Sequence, residues 1–189
     1  MIINSEFTGF IEDILTSSNM KLIIINGPCG IGKSTLSARL HISMPLSFLL
    51  DIDEQRKFIS HYKEKRQESG KMVYDISNAI LKGCLENKYD IIIDKMTLDW
   101  NILNRYHEFA KTYNAEVYEI ILWASKEVVM KRATERGWVK DGLFTSEKCE
   151  LFWDKINELK EYRPQAHVLN VGDKNEEEIY TQVAGIVGI

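Results

Sequence analysis

Hydrophobic positions along this chain follow two rhythms, unbroken short runs and spaced stripes. Residues 22–25, 46–50, 91–93, 116–123 and 168–171 form short apolar runs, several of them β-branched, and predict five strands. Helical patterns separate them: about 33–42, then 54–67 and 72–86 divided by Ser69-Gly70, then 99–113, 125–136 and 146–162. The helix of 72–86 is expected to bury Met72, Ile76, Ala79, Ile80 and Cys84. Ser125 reads as an N-cap and Gly137 as a stop, while Ile179, Val183, Ile186 and Val187 line a last helix. Ahead of the first strand, Phe7, Phe10, Ile11, Ile14 and Leu15 recur at helical spacing, which predicts an amphipathic helix packed on the sheet.

Strands alternating with helices, several strands being apolar throughout, imply a parallel sheet covered on both faces. Ligands of such sheets gather at the carboxyl ends of the strands. The ends here carry a glycine-rich turn, Asp51 and Asp53, Asp94, and the loop after Val171, so four polar places fall in one crevice.

With 189 residues, 44% of them hydrophobic and 28% charged, the chain fits one globular domain over 1–189. A net charge of −4 gives no long-range pull toward nucleic acid or anionic lipid. Cys29, Cys84 and Cys149 are odd in number and lack metal-ligand spacing, so reduced thiols in a cytoplasmic setting are expected. No leader pattern or membrane-length apolar run stands out.

The sharpest local signal is GPCGIGKST, where Gly27, Gly32, Lys33 and Ser34 fit the phosphate-binding pattern G-x-x-x-x-G-K-[ST]. Ordinary residue usage produces that coincidence on the order of once per few tens of thousands of positions. A buried strand before it and a helix after it supply the required context. Amides around Gly30–Ser34 converge on phosphate oxygens at a helix N-terminus, where the dipole favours negative charge, and the whole turn of Gly27, Pro28, Cys29, Gly30, Ile31, Gly32, Lys33, Ser34 and Thr35 is the expected nucleotide-binding segment. Lys33 supplies a point charge for the β/γ-phosphates and Ser34 a hydroxyl for Mg²⁺. Cys29 occupies a variable position of the pattern and reads as filler.

Phosphoryl transfer also needs a metal clamp, a group that orients or deprotonates the nucleophile, and cations for the charge in flight. Asp53 suits the base; Asp51 and Asp94 suit Mg²⁺, held through water. The first two would project alike if the strand continued through Ile52. Arg132 and Arg136, four residues apart, share a helix face and can bracket phosphates. Gly137 and the polar stretch 137–145 suit a lid, and the region 137–148 is expected to form it. Lys95 stands at the acceptor mouth, where it would favour an anionic substrate or serve as a surface lysine.

These residues resemble the P-loop kinases of the polynucleotide 5′-kinase and zeta-toxin type, which include small-molecule phosphotransferases. The markers are GPCGIGKST, DIDEQRKF, IIIDKMTL, RYHEFAKTYNAEVYEI and KRATERG, spanning about residues 21–159. The resemblance implies an α/β P-loop NTPase fold, a five-stranded parallel sheet between helices, with a helical substrate cover at 54–88 and the lid. It implies ATP on the phosphate loop, Asp53 as base, Arg56 in contact with substrate, and Arg132 and Arg136 on adenine or phosphates. Asp94-Lys95-Met96 replaces the Asp-x-Asn that the family often carries after its third strand.

The expected activity is therefore an ATP- and Mg²⁺-dependent kinase with a small-molecule hydroxyl acceptor, acting as a monomer or homodimer away from membranes. A polynucleotide 5′ end is the less favoured acceptor, since His61–Arg66 is the only basic run and Glu64 dilutes it. A regulatory NTPase is the remaining class: residues 87–90 read N-K-x-D, but they precede a strand instead of following one, and no D-x-x-G switch accompanies them. The four histidines lack ligand spacing. Trp123 and Trp153 read as packing residues, and Trp138 as open to substrate contact.

Overall fold

A computed structural model describes residues 20–137 and 145–189. The predicted helix around Phe7–Leu15, Trp138 and most of the predicted lid lie outside them. Five strands, β1 (Lys21–Asn26), β2 (Phe48–Asp51), β3 (Ile91–Asp94), β4 (Glu116–Trp123) and β5 (His167–Asn170), form one sheet in the order β2-β3-β1-β4-β5. All four pairings are parallel. The helices are α1 (Lys33–Ser43), α2 (Ile52–Arg56), α3 (Arg66–Glu86), α4 (Trp100–Tyr113), α5 (Lys126–Arg136), α6 (Ser146–Glu161) and α7 (Glu176–Val187).

The alternation of β1 divides the core. Ile23 and Ile25 face a layer with Leu36 and Leu40 of α1, Val129 of α5 and Val183 of α7. Leu22 and Ile24 face the other, with Val73 and Leu81 of α3, Leu103 and Tyr106 of α4, and Ile156 of α6. A strand buried on both sides has no polar position to spare, which is why these strands read as continuous apolar runs.

Helix boundaries follow side-chain caps. Asp99 accepts from the Asn101 amide, Ser125 from Val128, and Thr145 from Lys148. Asn175 and Glu178 form a reciprocal capping box at α7. Gly137 ends α5 at φ 88°.

Three expectations need correction. The second strand starts at Phe48, because Leu46 sits in a left-handed turn (φ 64°) after Pro45 and is exposed. The break at Ser69-Gly70 does not exist: α3 runs unbroken from Arg66, and the predicted helix of 54–67 shrinks to α2 followed by turns. The small side chains at 69 and 70 let the Arg56 guanidinium lie against α3, where Ser69 Oγ accepts from Arg56 Nε (3.1 Å) and Nη2 (2.9 Å). The buried face of α3 is accordingly Ser69, Val73, Ser77, Leu81, Cys84 and Leu85, while Met72 and Ile76 are exposed.

Candidate active site

Gly27 begins the turn after β1 at φ 142°, and a Cβ there would lie 2.4 Å from the Leu122 carbonyl oxygen on β4. Only glycine lets this backbone come so close. The turn is fastened underneath by buried Asn26, whose Oδ1 accepts from Gly27 N (2.8 Å) and Thr97 N (2.9 Å) while its Nδ2 donates to Thr97 O (2.9 Å). One amide therefore ties the phosphate loop to the loop after β3. Gly32, at φ 105°, is the N-cap of α1 and has no side chain of its own to satisfy the first amides, which stay available to an anion.

Lys33 Nζ donates to Pro28 O at 3.0 Å, which holds the ammonium over the loop. Burial lowers its pKa, and the nearby Cys29, Asp94 and Asp53 act in the opposite direction. A partly desolvated cation of this kind gains from an incoming phosphate. The Ser34 hydroxyl lies near enough to the Asp94 carboxylate, which is 5% exposed, to favour its charged form. Burial raises the pKa of Asp94, opposed by Ser34 and Lys33 and reinforced by Asp51 and Asp53. Hydroxyl and carboxylate oxygens facing each other beside a phosphate loop suit a hard cation such as Mg²⁺. Among the described residues no group of three or more His, Cys, Asp or Glu could hold a metal.

On the β4–β5 side of Lys33 lies an open cavity of about 650 Å³, lined by residues 30–36, Arg39, Arg132, Arg136, and by Lys174, Asn175, Glu176, Ile179 and Tyr180. Its size suits a nucleotide. Arg132 is pinned by Nη2 donating to Val171 O (3.2 Å) and Gly172 O (3.1 Å), which fastens α5 to the loop after β5. Arg136 stands exposed at the rim. Arg39 lies 4.0 Å above the Tyr180 ring and pairs with Glu177.

On the β2–β3 side, Asp51 and Asp94 are paired neighbours across the strands. The strand stops at Asp51, whose Oδ1 accepts from the amides of Asp53 (2.9 Å) and Glu54 (3.0 Å) and so starts α2. Asp53 thus enters the crevice from a helical turn and not by strand alternation, which corrects the projection argument. It ion-pairs with Lys95. Arg56 spends its donors on Ser69 and on Arg66 O (2.5 Å), clamping α2 to α3.

The structure brings the phosphate loop, Arg132 and Arg136 to one cavity and Asp51, Asp53 and Asp94 to the β2–β3 side of it, while sequence reasoning did not name Arg39, Lys174, Asn175 or Tyr180 on the cavity wall. It also missed Tyr74, which lies within electrostatic reach of Lys95 and Asp53. The Asn175-x-x-Glu178 box was readable; Tyr74 gave no signal. Burial raises the Cys29 thiol pKa, and its Sγ sits 3.8 Å from Met96 Sδ, a packing contact. Trp153 Nε1 donates to Ala124 O (2.8 Å) beside the Trp123 ring, as packing residues do. Asn87 caps α3, and Asp90 Oδ1 accepts from Lys21 N (2.8 Å), so residues 87–90 lie at the sheet end opposite the crevice.

A glycine turn between a central parallel strand and a helix, with a neighbouring strand's carboxylate near its serine, defines a P-loop nucleotide-binding protein with a kinase fold. A family model described as AAA domain (AAA_33) matches residues 22–147, most of the chain, and the chain belongs to that family. It is 31% identical over 124 residues to the L-seryl-tRNA(Sec) kinase of Methanococcus maripaludis, a stretch covering 61% of this chain and 46% of that relative. The chain thus spans less than half the length of this curated relative. The Deinococcus radiodurans tunicamycin resistance protein superposes with TM-score 0.62 at 22% identity, covering 89% of this chain and 96% of that one. A gluconokinase from Sinorhizobium meliloti 1021 does so with TM-score 0.63 at 14% identity, covering 89% and 94%. Among the described residues no helix is long and apolar enough to cross a membrane.

Proposed function

We propose that this chain is an ATP-dependent kinase that transfers the γ-phosphoryl group to a hydroxyl of a small molecule. The observation that carries the reading is the position of Lys33. It borders the nucleotide-sized cavity on one side and lies within the field of the Asp94 and Asp53 carboxylates on the other.

ATP would lie along residues 30–36 with its base toward Lys174–Tyr180, its phosphates bracketed by Lys33, Arg132 and Arg136. Ser34 and Asp94 would hold Mg²⁺, which when bound neutralises phosphate charge. Asp51 caps α2 and thereby aims Asp53. The Asp53 carboxylate, 66% exposed at its side chain, is free to accept the acceptor's proton through the oxygen that Lys95 does not hold. General-base assistance of this kind contributes roughly 10²–10⁴ in rate.

The seryl-tRNA kinase relative favours a second reading, in which the accepting hydroxyl is carried on RNA. One screen separates the two: sugars, nucleosides, antibiotics, aminoacylated RNA and oligonucleotide 5′ ends are incubated with ATP and Mg²⁺ and scored for phosphate mass gain. A small-molecule product that disappears with Asp53→Asn, at unchanged ATP affinity, is the expected result. A product only on RNA selects the second reading. An Asp53→Asn variant with wild-type turnover overturns the assignment of the base.

A further inference from the structure

Lys95 closes the acceptor side of the site, and its surroundings are not those of a surface lysine. Its side chain is 18% exposed and ion-pairs with Asp53. Its backbone N–H reaches Ile25 O at 3.4 Å, just before the phosphate loop. It lies near enough to Lys33 to disfavour that lysine's charge. The Asp94 and Asp53 carboxylates outweigh that repulsion at Lys33, and a phosphoryl group arriving beside both lysines would add to the negative charge they face. Asp53 is largely open to water, and so exposed a pair adds little to folding. Stability therefore does not account for the arrangement.

We propose that Lys95 is a second phosphoryl-stabilising cation, meeting the transferred group from the acceptor side while Lys33 meets it from the nucleotide side. This rests on the kinase reading above. As the acceptor oxygen bonds to the γ-phosphorus, its proton passes to the Asp53 carboxylate. The bond from that phosphorus to the β–γ bridging oxygen breaks, and its electron pair leaves with ADP. Asp53 becomes neutral in the same event, so Lys95 loses its counter-ion just as negative charge gathers on the phosphoryl oxygens beside it. A cation that is paired in the ground state and freed during transfer lowers the barrier without tightening ground-state binding.

The test needs no acceptor. Calorimetry compares Mg·ADP alone with Mg·ADP plus aluminium fluoride, which imitates the phosphoryl group in flight with water in the acceptor's place. Wild type is expected to bind the fluoride complex more tightly. Lys95→Met should keep wild-type affinity for Mg·ADP and lose about 10²-fold of that tightening, while Lys95→Arg retains most of it. Thermal melting confirms that each variant is folded. Full tightening in Lys95→Met, equal loss for both ligands, or no tightening in wild type overturns the inference and leaves the kinase reading in place. Wild-type protein with no affinity for Mg·ADP overturns both.

Discussion

Replacing Arg163 by methionine should destabilise the scaffold behind the site by about 3–5 kcal/mol, the usual cost of stripping one partner from a buried ion pair. Glu119 on β4 is 1% exposed and Arg163, beyond α6, is 3% exposed. Arg163 Nε donates to Glu119 Oε1 at 3.0 Å and Nη2 to Oε2 at 2.6 Å, while Nη1 donates to Asn104 Oδ1 on α4 at 2.5 Å. His107 Nε2, also on α4, sits 2.8 Å from Glu119 Oε2. Methionine fills much of the arginine's volume but leaves a buried carboxylate with only the histidine. For a chain of this size that cost corresponds to a fall of roughly 6–20 °C in Tm. Urea unfolding at pH 7 measures it, and Arg163→Met combined with Glu119→Leu should recover much of the loss.

The pH dependence has a definite sign. Burial pushes the Glu119 carboxyl upward, but the His107 and Arg163 contacts outweigh it and hold the group below its usual range. Its contribution is therefore complete above the ordinary glutamate pKa and is lost as pH falls through the lowered folded value. In Arg163→Met burial prevails, and protonation relieves the strain. The stability gap between wild type and variant should be widest at neutral pH and close below about pH 4. A gap under about 1 kcal/mol at pH 7, or one that widens in acid, would refute this account of the pair.

Other changes probe the site itself. Gly27→Ala places a Cβ against the Leu122 carbonyl at a φ closed to alanine, and should cost about 2–5 kcal/mol and reduce ATP affinity; chemical denaturation and nucleotide titration check both. Asp94→Asn should weaken the Mg²⁺ dependence of ATP binding while leaving metal-free binding near wild type, read by titrating with and without EDTA. Asn26→Ala removes the link between the phosphate loop and the loop after β3, and should impair both nucleotide affinity and phosphoryl transfer. Loss of neither would make that amide a packing group only.

Much of this architecture was readable because it is local. Gly27, Gly32, Lys33 and Ser34 carry their own geometry, and Arg132 and Arg136 share a face by helical spacing alone. Even Asp51 announces a cap, since Glu54 follows it at the capping-box position, although the strand reading concealed this. What was not legible depends on distant partners. Ser69 is buried on α3 because Arg56, thirteen residues before it, lays its guanidinium there, while Met72 and Ile76 point outward. The pairing of Glu119 with Arg163 spans 44 residues, and each alone resembles a surface charge. Lys95 likewise acquires meaning only once α2 turns Asp53 toward it.

The account depends on a triphosphate lying between Gly30 and Tyr180 with its terminal phosphate at Lys33. Calorimetry of the wild-type chain with Mg·ATP, repeated with Lys33→Ala, tests this most directly. The account predicts one site per chain in wild type and its severe weakening in the variant. A well-folded wild-type protein that releases no heat with ATP or GTP, or a Lys33→Ala variant that binds as wild type does, would contradict it.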